Sequence, residues 1–394
     1  MALLNIVFGL LEQLESKYIT VHQNRCVLVR NRNTTCLRCA EACTSGCISY
    51  TDNKLFISPD KCIGCGTCAT VCPTCALEAR EPNDTELFKE LLSAAEAAEG
   101  ECTIACVDVL KEAEDVYDPT KVVGIACLGR IEESILLSLI DAGAKRINLV
   151  KGDCAACDYV TGLETAQSVC KSANTLLCTW NHGTEVSIVD ELPDVALLPE
   201  KKEYDEGRRA FFSAMKYEAK NLAGQAAVIA AQEKLGDNEK TEPPRMKVMS
   251  DGTLPHFIPD RRERLLDSLY DFGEPQDLLI DTRLWGHVII DTDLCNSCQM
   301  CATFCPTGAI TKYVDADGSF GVEHSPGDCV KCRCCVDICP AGALTISEEV
   351  FAIDLLSGAV ERYKMRPVKS PPGKPNSILN AMKDLLKEDQ IYER

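Results

Sequence analysis

The sequence predicts a multidomain chain of α+β and α/β parts: two small cysteine-rich modules flank a small parallel α/β domain, with a helical linker and a C-terminal helix. Three observations carry this prediction. Stretches near both ends repeat a run of cysteines that closes on Cys-Pro. Residues 85–200 alternate short apolar runs with amphipathic helical segments, the pattern of a parallel sheet with helical crossovers. Residues 203–236 are rich in Ala, Lys and Glu and suit one long helix or two. The divisions fall at 1–84, 85–200, 201–284, 285–348 and 349–394.

The more regular cysteine run lies in residues 285–345. It reads Cys295-x2-Cys298-x2-Cys301-x3-Cys305-Pro306, then Cys329-x2-Cys332-x2-Cys335-x3-Cys339-Pro340. Three closely spaced thiolates suit one cubane iron–sulfur cluster, and the fourth Cys of each run reaches the other cluster. One [4Fe–4S] cluster is therefore assigned to Cys295, Cys298, Cys301 and Cys339, and a second to Cys329, Cys332, Cys335 and Cys305. Zinc has no use for the third Cys or for the Cys-Pro. Over these residues the chain resembles the bacterial two-cluster ferredoxins.

Residues 62–73 repeat the motif as Cys62, Cys65, Cys68, Cys72 and Pro73, and ISPDKCIGC around Cys62 parallels HSPGDCVKC around Cys329. Strand pairs about polar turns precede each, at Thr51-Asp52-Asn53 and at 315–318. The partner motif is altered. Cys36-x2-Cys39-x3-Cys43 has Asn33 where the first Cys would stand, and Cys26 is the substitute. The assignment is one [4Fe–4S] cluster on Cys26, Cys36, Cys39 and Cys72 and another on Cys62, Cys65, Cys68 and Cys43; a rival puts Cys47 in place of Cys43 and Cys43 in place of Cys26. Cys47 and Cys75 otherwise read as small apolar side chains beside a cluster.

In the middle domain strands are expected at 103–109, 121–128, 146–150 and 185–190, and helices at 85–99, 131–144 and 162–178, giving a doubly wound, flavodoxin-like sheet. Loops at the carboxyl ends of such strands converge on one crevice. Cys106, Cys127, Cys154 and Cys157, with Cys102 just before the first strand, should meet there as a metal or redox site with room for a fifth cluster; Cys170 and Cys178 read as structural. Residues 126–162, ACLGRIEESILLSLIDAGAKRINLVKGDCAACDYVTG, resemble the delta iron–sulfur subunit of methyl-viologen/F420-type hydrogenase and heterodisulfide reductase systems. The resemblance implies a [2Fe–2S] cluster passing electrons between subunits, with Cys127 and Cys154 matching directly and Cys106 by position; Cys102 and Cys157 both stand open as the fourth ligand. In chain order these thiols lie between the two end modules.

Elsewhere, Arg261, Arg262 and Arg264 on the helix RRERLLDSLYDF read as a solvated face, ahead of a dock for an acidic partner. VFAIDLLSGAVERYK reads as a hairpin turning at Ser357-Gly358, followed by a Pro-rich linker and a helix from Asn376. The apolar N-terminal run mixes with Glu12 and Glu15 at helical spacing and reads as a packed helix, not an export signal; no transmembrane segment is expected.

Composition narrows the function. Twenty-six cysteines in a 394-residue chain point to metal in a reducing, cytoplasmic setting and not to a disulfide scaffold. A formal charge of −19 excludes nucleic acid as the expected partner. No GxGxxG, GxxxxGK[ST], HExxH or GxSxG carries independent chemistry. The expectation is a non-catalytic electron-transfer subunit of a hetero-oligomeric complex in an anaerobe. Its partner would be a molybdopterin or tungstopterin oxidoreductase, a hydrogenase, or a heterodisulfide-reductase-like complex. Two alternatives stand beside it: a reductase whose active site is the middle crevice, and an Fe–S scaffold or redox sensor.

Overall fold

A computed structural model describes residues 16–198 and 248–366. The expected N-terminal helix, the long helix at 203–236, the Pro-rich linker and the C-terminal helix lie outside the described residues. The N-terminal module runs β1 (Ile19–Val21), α1 (Val27–Arg30), α2 (Arg38–Glu41), β2 (Ile48–Thr51), β3 (Lys54–Ile57), α3 (Thr67–Val71) and β4 (Leu77–Ala79). β1 pairs antiparallel with β4, and β2 with β3. Asp52 and Asn53 turn the hairpin with φ of 49° and 59°. Left-handed residues at both central positions match the twist of the flanking strands, and Asp and Asn tolerate that region.

The middle domain follows as α4 (Asp84–Ala97), β5 (Glu101–Cys106), α5 (Val107–Glu112), β6 (Val122–Ile125), α6 (Glu133–Asp141), β7 (Arg146–Val150), α7 (Thr161–Thr179) and β8 (Val186–Val189). Asn83 and Glu86 form a reciprocal capping box that starts α4, and Gly100 at φ +99° ends its last turn. The sheet has the order β6-β5-β7-β8, all parallel, with Ile104 opposite both Val123 and Leu149. The first strand stops at Cys106, not at 109: the backbone turns there into α5, with Cys106 at the helix cap.

Beyond the middle domain come α8 (Asp260–Asp271), β9 (Leu279–Asp281), β10 (His287–Ile290), α9 (Met300–Phe304), β11 (Ile310–Val314), β12 (Phe320–His324), α10 (Cys334–Asp337), β13 (Leu344–Ser347), β14 (Glu349–Phe351) and β15 (Glu361–Lys364). β10 pairs with β13 and β11 with β12, so the second module repeats the first strand for strand. The segment after it departs from the expected hairpin. β14 pairs back with β9, and β15 adds to the free edge of β12. Gly358 does turn the chain at φ +67°, but the 3-10 turn at Ala352–Leu355 carries it to a different sheet first.

One apolar core joins these parts. Leu87 and Leu91 of α4, Ile135 and Leu136 of α6 and Leu176 of α7 share it with Leu265 and Leu269 of α8, and with Trp285 and Val350. The solvated reading of the α8 arginines is therefore wrong: Arg261 and Arg262 are buried. Arg262 lies on the Trp285 ring, 4.4 Å from its centroid. Asp84, in the first turn of α4, accepts from Arg130 at 2.6 Å, Arg261 at 2.8 Å and Arg264 at 3.0 Å. Arg283 forks onto the buried Glu133 at 2.7 and 2.5 Å.

Candidate metal centres

The three regular motif loops share one backbone shape. The residue two after the first Cys and the residue after the second Cys are left-handed in each: Gly64 and Gly66, Ser297 and Gln299, Lys331 and Arg333, with φ between 52° and 76°. Alternating hands along a short loop curl it into a cup whose amides point inward, an arrangement suited to a negative guest. The altered loop lacks this device: Leu37 has φ −122° and Arg38 opens α2.

Each assigned group of thiols comes together. Cys305, Cys329, Cys332 and Cys335 line one cavity with Val288 and Ile310. Burial pushes Cys329 up to about 11, and the neighbouring Cys305 adds to the rise. In the companion group burial pushes Cys301 up to about 12, with Cys298, Cys295 and Cys305 adding. Cys298 rises by burial and by nearness to Cys339 and Cys295. At the N-terminal module burial pushes Cys26 up to about 11, helped by the neighbouring Cys72 and Cys36. Cys39 rises by burial and by Cys72, Cys26 and Cys36. Burial also raises Cys68, with Cys65, Cys39, Cys62 and Cys43 adding.

Cys47 sits within this last group, 3.4 Å from the Cys43 sulfur. A hydrogen bond from Cys47 holds Cys62 down to about 6. Cys72 accepts from Ala76 N at 3.2 Å and Cys339 accepts from Ala343 N at 3.3 Å, four residues on in each case. A hydroxyl two residues on also faces three fourth-position sulfurs: Ser45 at 3.5 Å, Thr74 at 3.7 Å and Thr307 at 3.9 Å.

In the middle domain four of the five expected thiols gather at the carboxyl edge of the sheet. Cys127 is pushed up to about 12 by burial, with the charges of Cys65, Cys106 and Cys157 adding, and Cys154 rises by burial with Cys157 and Cys106 adding. Cys102 is not among them. It stands four residues before Cys106 in β5, roughly 13 Å along an extended strand. It is fully buried under α4, with its sulfur 3.8 Å from the Leu91 carbonyl, and burial alone pushes it up to about 12. Two neighbours went unseen in the sequence, Cys65 beside Cys127 and the buried Cys334 beside Cys305, because neither pairing has a spacing signature.

Gly162, in the first turn of α7, seats the Cys127 sulfur: a Cβ there would stand 2.0 Å from it. Gly162→Ala should lower stability by roughly 1–3 kcal/mol through overpacking. A thermal melt equal to that of the parent chain would remove Gly162 from this role.

A cavity of about 620 Å³ lies elsewhere, lined by Arg38, Lys171, Arg283, Glu164, Asp281 and Glu348, with charges of both signs. Among the described residues no three or more His, Cys, Asp or Glu side chains are set to hold a single metal ion. Every Cys among them is a free thiol. All-thiol donors, cupped loops and N–H groups aimed at sulfur fit iron–sulfur clusters.

Comparison with known proteins agrees. The 4Fe-4S dicluster domain family matches residues 294–343, and the 4Fe-4S binding domain family matches residues 55–78. Both ends of the chain are 4Fe–4S ferredoxin-type domains. A "Ferredoxin 7Fe" of Hydrogenibacillus schlegelii is 44% identical over 39 residues, which are 10% of this chain and 50% of that protein. A "Ferredoxin" of Streptomyces griseus is likewise 44% identical over 39 residues, 10% of this chain and 37% of that protein. The chain thus spans half or less of the curated relatives it matches. No solved structure matches it. Among the described residues no helix is long and apolar enough to cross a membrane.

Proposed function

We propose that the chain is a multi-cluster electron-transfer subunit that relays single electrons between a donor and a catalytic redox partner. Four [4Fe–4S] clusters would be held by Cys295, Cys298, Cys301 and Cys339; by Cys305, Cys329, Cys332 and Cys335; by Cys43, Cys62, Cys65 and Cys68; and by Cys26, Cys36, Cys39 and Cys72. A fifth, of the [2Fe–2S] kind, would take Cys106, Cys127, Cys154 and Cys157. The observation that carries this reading is the common cup of the three regular loops, with an assigned group of thiols at each. When bound, such clusters accept and release one electron at a time, at potentials set by burial, net charge and hydrogen bonds to sulfur. This chain supplies those controls through the Ala76 and Ala343 amides and the Ser45, Thr74 and Thr307 hydroxyls.

The resemblance of residues 126–162 supports a hydrogenase or heterodisulfide-reductase-like complex as the setting, in the cytoplasm of an anaerobe, with a molybdopterin or tungstopterin oxidoreductase as another partner of the same redox class. A reductase with its own active site is the second reading. Cys154 and Cys157 favour it, being partly exposed at the sheet edge where a small disulfide could reach them.

Anaerobic iron and sulfide counting with EPR tests both readings. Four cubanes give about sixteen irons and the fifth site about eighteen; many fewer than sixteen would sink the assignment. Cys127→Ser and Cys154→Ser should each remove the [2Fe–2S] signal while sparing the others. Retention of every cluster with loss of thiol-dependent turnover would instead establish the reductase.

A further inference from the structure

We infer that the two dicluster modules join face to face across Arg30, making one row of thiol groups with the middle-domain set at its end rather than between the modules. The inference rests on the reading of these thiols as cluster ligands and adds their order in space.

The junction is built from backbone contacts. Arg30 is 1% exposed and stands one helical turn after Cys26. Its guanidinium donates to Asn24 O of its own module at 3.2 Å. The same group donates to Phe304 O and Cys305 O of the other module, both at 3.3 Å, and to Pro255 O at 2.7 Å. Two further contacts flank it. Asp337 accepts from the Thr35 amide at 2.7 Å and the Thr35 hydroxyl at 2.9 Å, and Arg38 donates to Lys331 O at 2.9 Å. Thr35 and Arg38 bracket Cys36, and Lys331 precedes Cys332, so groups Cys26/36/39/72 and Cys305/329/332/335 meet. Cys334 lies between them, its sulfur 3.8 Å from Phe304 O and close enough to feel the charge of both Cys305 and Cys36.

The other end of the N-terminal module meets the middle domain. The Thr70 hydroxyl donates to Arg130 O at 3.0 Å, and the Thr161 hydroxyl donates to Ala42 O at 2.7 Å. A Cβ on Gly129 would stand 2.5 Å from the Thr67 hydroxyl. These contacts press the Cys127 turn onto the loop that carries Cys65, and Tyr159 lies near Cys65, Cys157 and Cys127 together. The order is then Cys106/127/154/157, Cys43/62/65/68, Cys26/36/39/72, Cys305/329/332/335, Cys295/298/301/339. Arg30 is the positioning residue at the centre of the row, and its fixed positive charge favours the reduced, more negative state of both flanking groups.

The test uses the full chain, loaded and purified anaerobically, with EPR-monitored redox titration. Arg30→Gln should keep the iron content and make a junction cluster about tenfold harder to reduce at fixed poise, about 59 mV for a one-electron couple; Arg30→Lys should restore most of that shift. Asp337→Asn, at a partly exposed site, should move the same signal in the opposite direction. Cys332→Ser should narrow the magnetically broadened signal of the N-terminal module, while Cys298→Ser should leave that signal unchanged. An N-terminal signal indifferent to Cys332→Ser, with no shift in Asp337→Asn, would overturn the order even if Arg30→Gln failed to fold. A parent chain with far fewer than sixteen irons would overturn the functional reading instead, so the two failures are distinguishable.

Discussion

Asp84→Asn should destabilise the folded chain by about 3–5 kcal/mol, the range for removing one partner of a buried ion pair. The carboxylate is shared by Arg130, Arg261 and Arg264, and the first two are buried. Asparagine fills the same space but leaves three guanidinium groups facing a neutral amide. It also weakens the favourable negative charge in the first turn of α4. The same network gives a pH signature. Burial alone would raise the Asp84 pKa, yet the three arginines outweigh it and hold the carboxyl well below the usual range. A depressed folded pKa contributes stability that is present above the unfolded value, about 4, and is lost as pH falls toward the folded one. The parent chain should therefore lose urea resistance between about pH 5 and lower pH, and Asp84→Asn should flatten that slope. Equal urea midpoints for parent and variant would show that the arginines are satisfied without Asp84.

The second large effect separates Cys43 from Cys47. Cys43 repeats the hydroxyl contact of Cys72 and Cys305, with Ser45 at 3.5 Å, whereas Cys47 donates toward Cys62 from within the core. Cys47→Ser should keep the full iron content. The double variant Cys43→Ser/Cys47→Ser should lose about four irons, one cubane. The double variant is the decisive one because Cys47, 3.4 Å from the Cys43 sulfur, is placed to substitute for it in a Cys43→Ser chain. Loss of those irons in the Cys47→Ser chain alone would transfer the ligand role to Cys47.

What could be read from the sequence is what local rules write into it. The cysteine spacings picked out thiols that lie near one another, and Cys26, chosen without a regular spacing, lies near Cys72 and Cys36. Asp52-Asn53 marked a turn that their positive φ angles account for. The four parallel strands followed from apolar runs separated by helices. What could not be read depends on partners far along the chain. Arg261 looked solvated because its carboxylate is 177 residues away. β14 looked like half of a hairpin because β9, its true partner, leaves no mark on a window around Ser357. Cys102 looked like a ligand because the resemblance leaves a fourth position open, although a residue just before the first strand lies at the end of β5 opposite the crevice. The meeting of the modules rests on Thr35 and Asp337, 302 residues apart.

The left-handed cups bear on how the two halves of the duplication have diverged. The N-terminal copy makes its cup with Gly64 and Gly66, residues that adopt the shape freely but lose the most disorder on folding. The C-terminal copy makes the same cup with Ser297, Gln299, Lys331 and Arg333, which are held there against their own preference. A loop of the first kind is lax when empty; one of the second kind is a sprung clasp. The regular loops at the two ends of one chain should therefore take up and surrender their inorganic cargo at different rates, though all three share the Cys-x2-Cys-x2-Cys spacing.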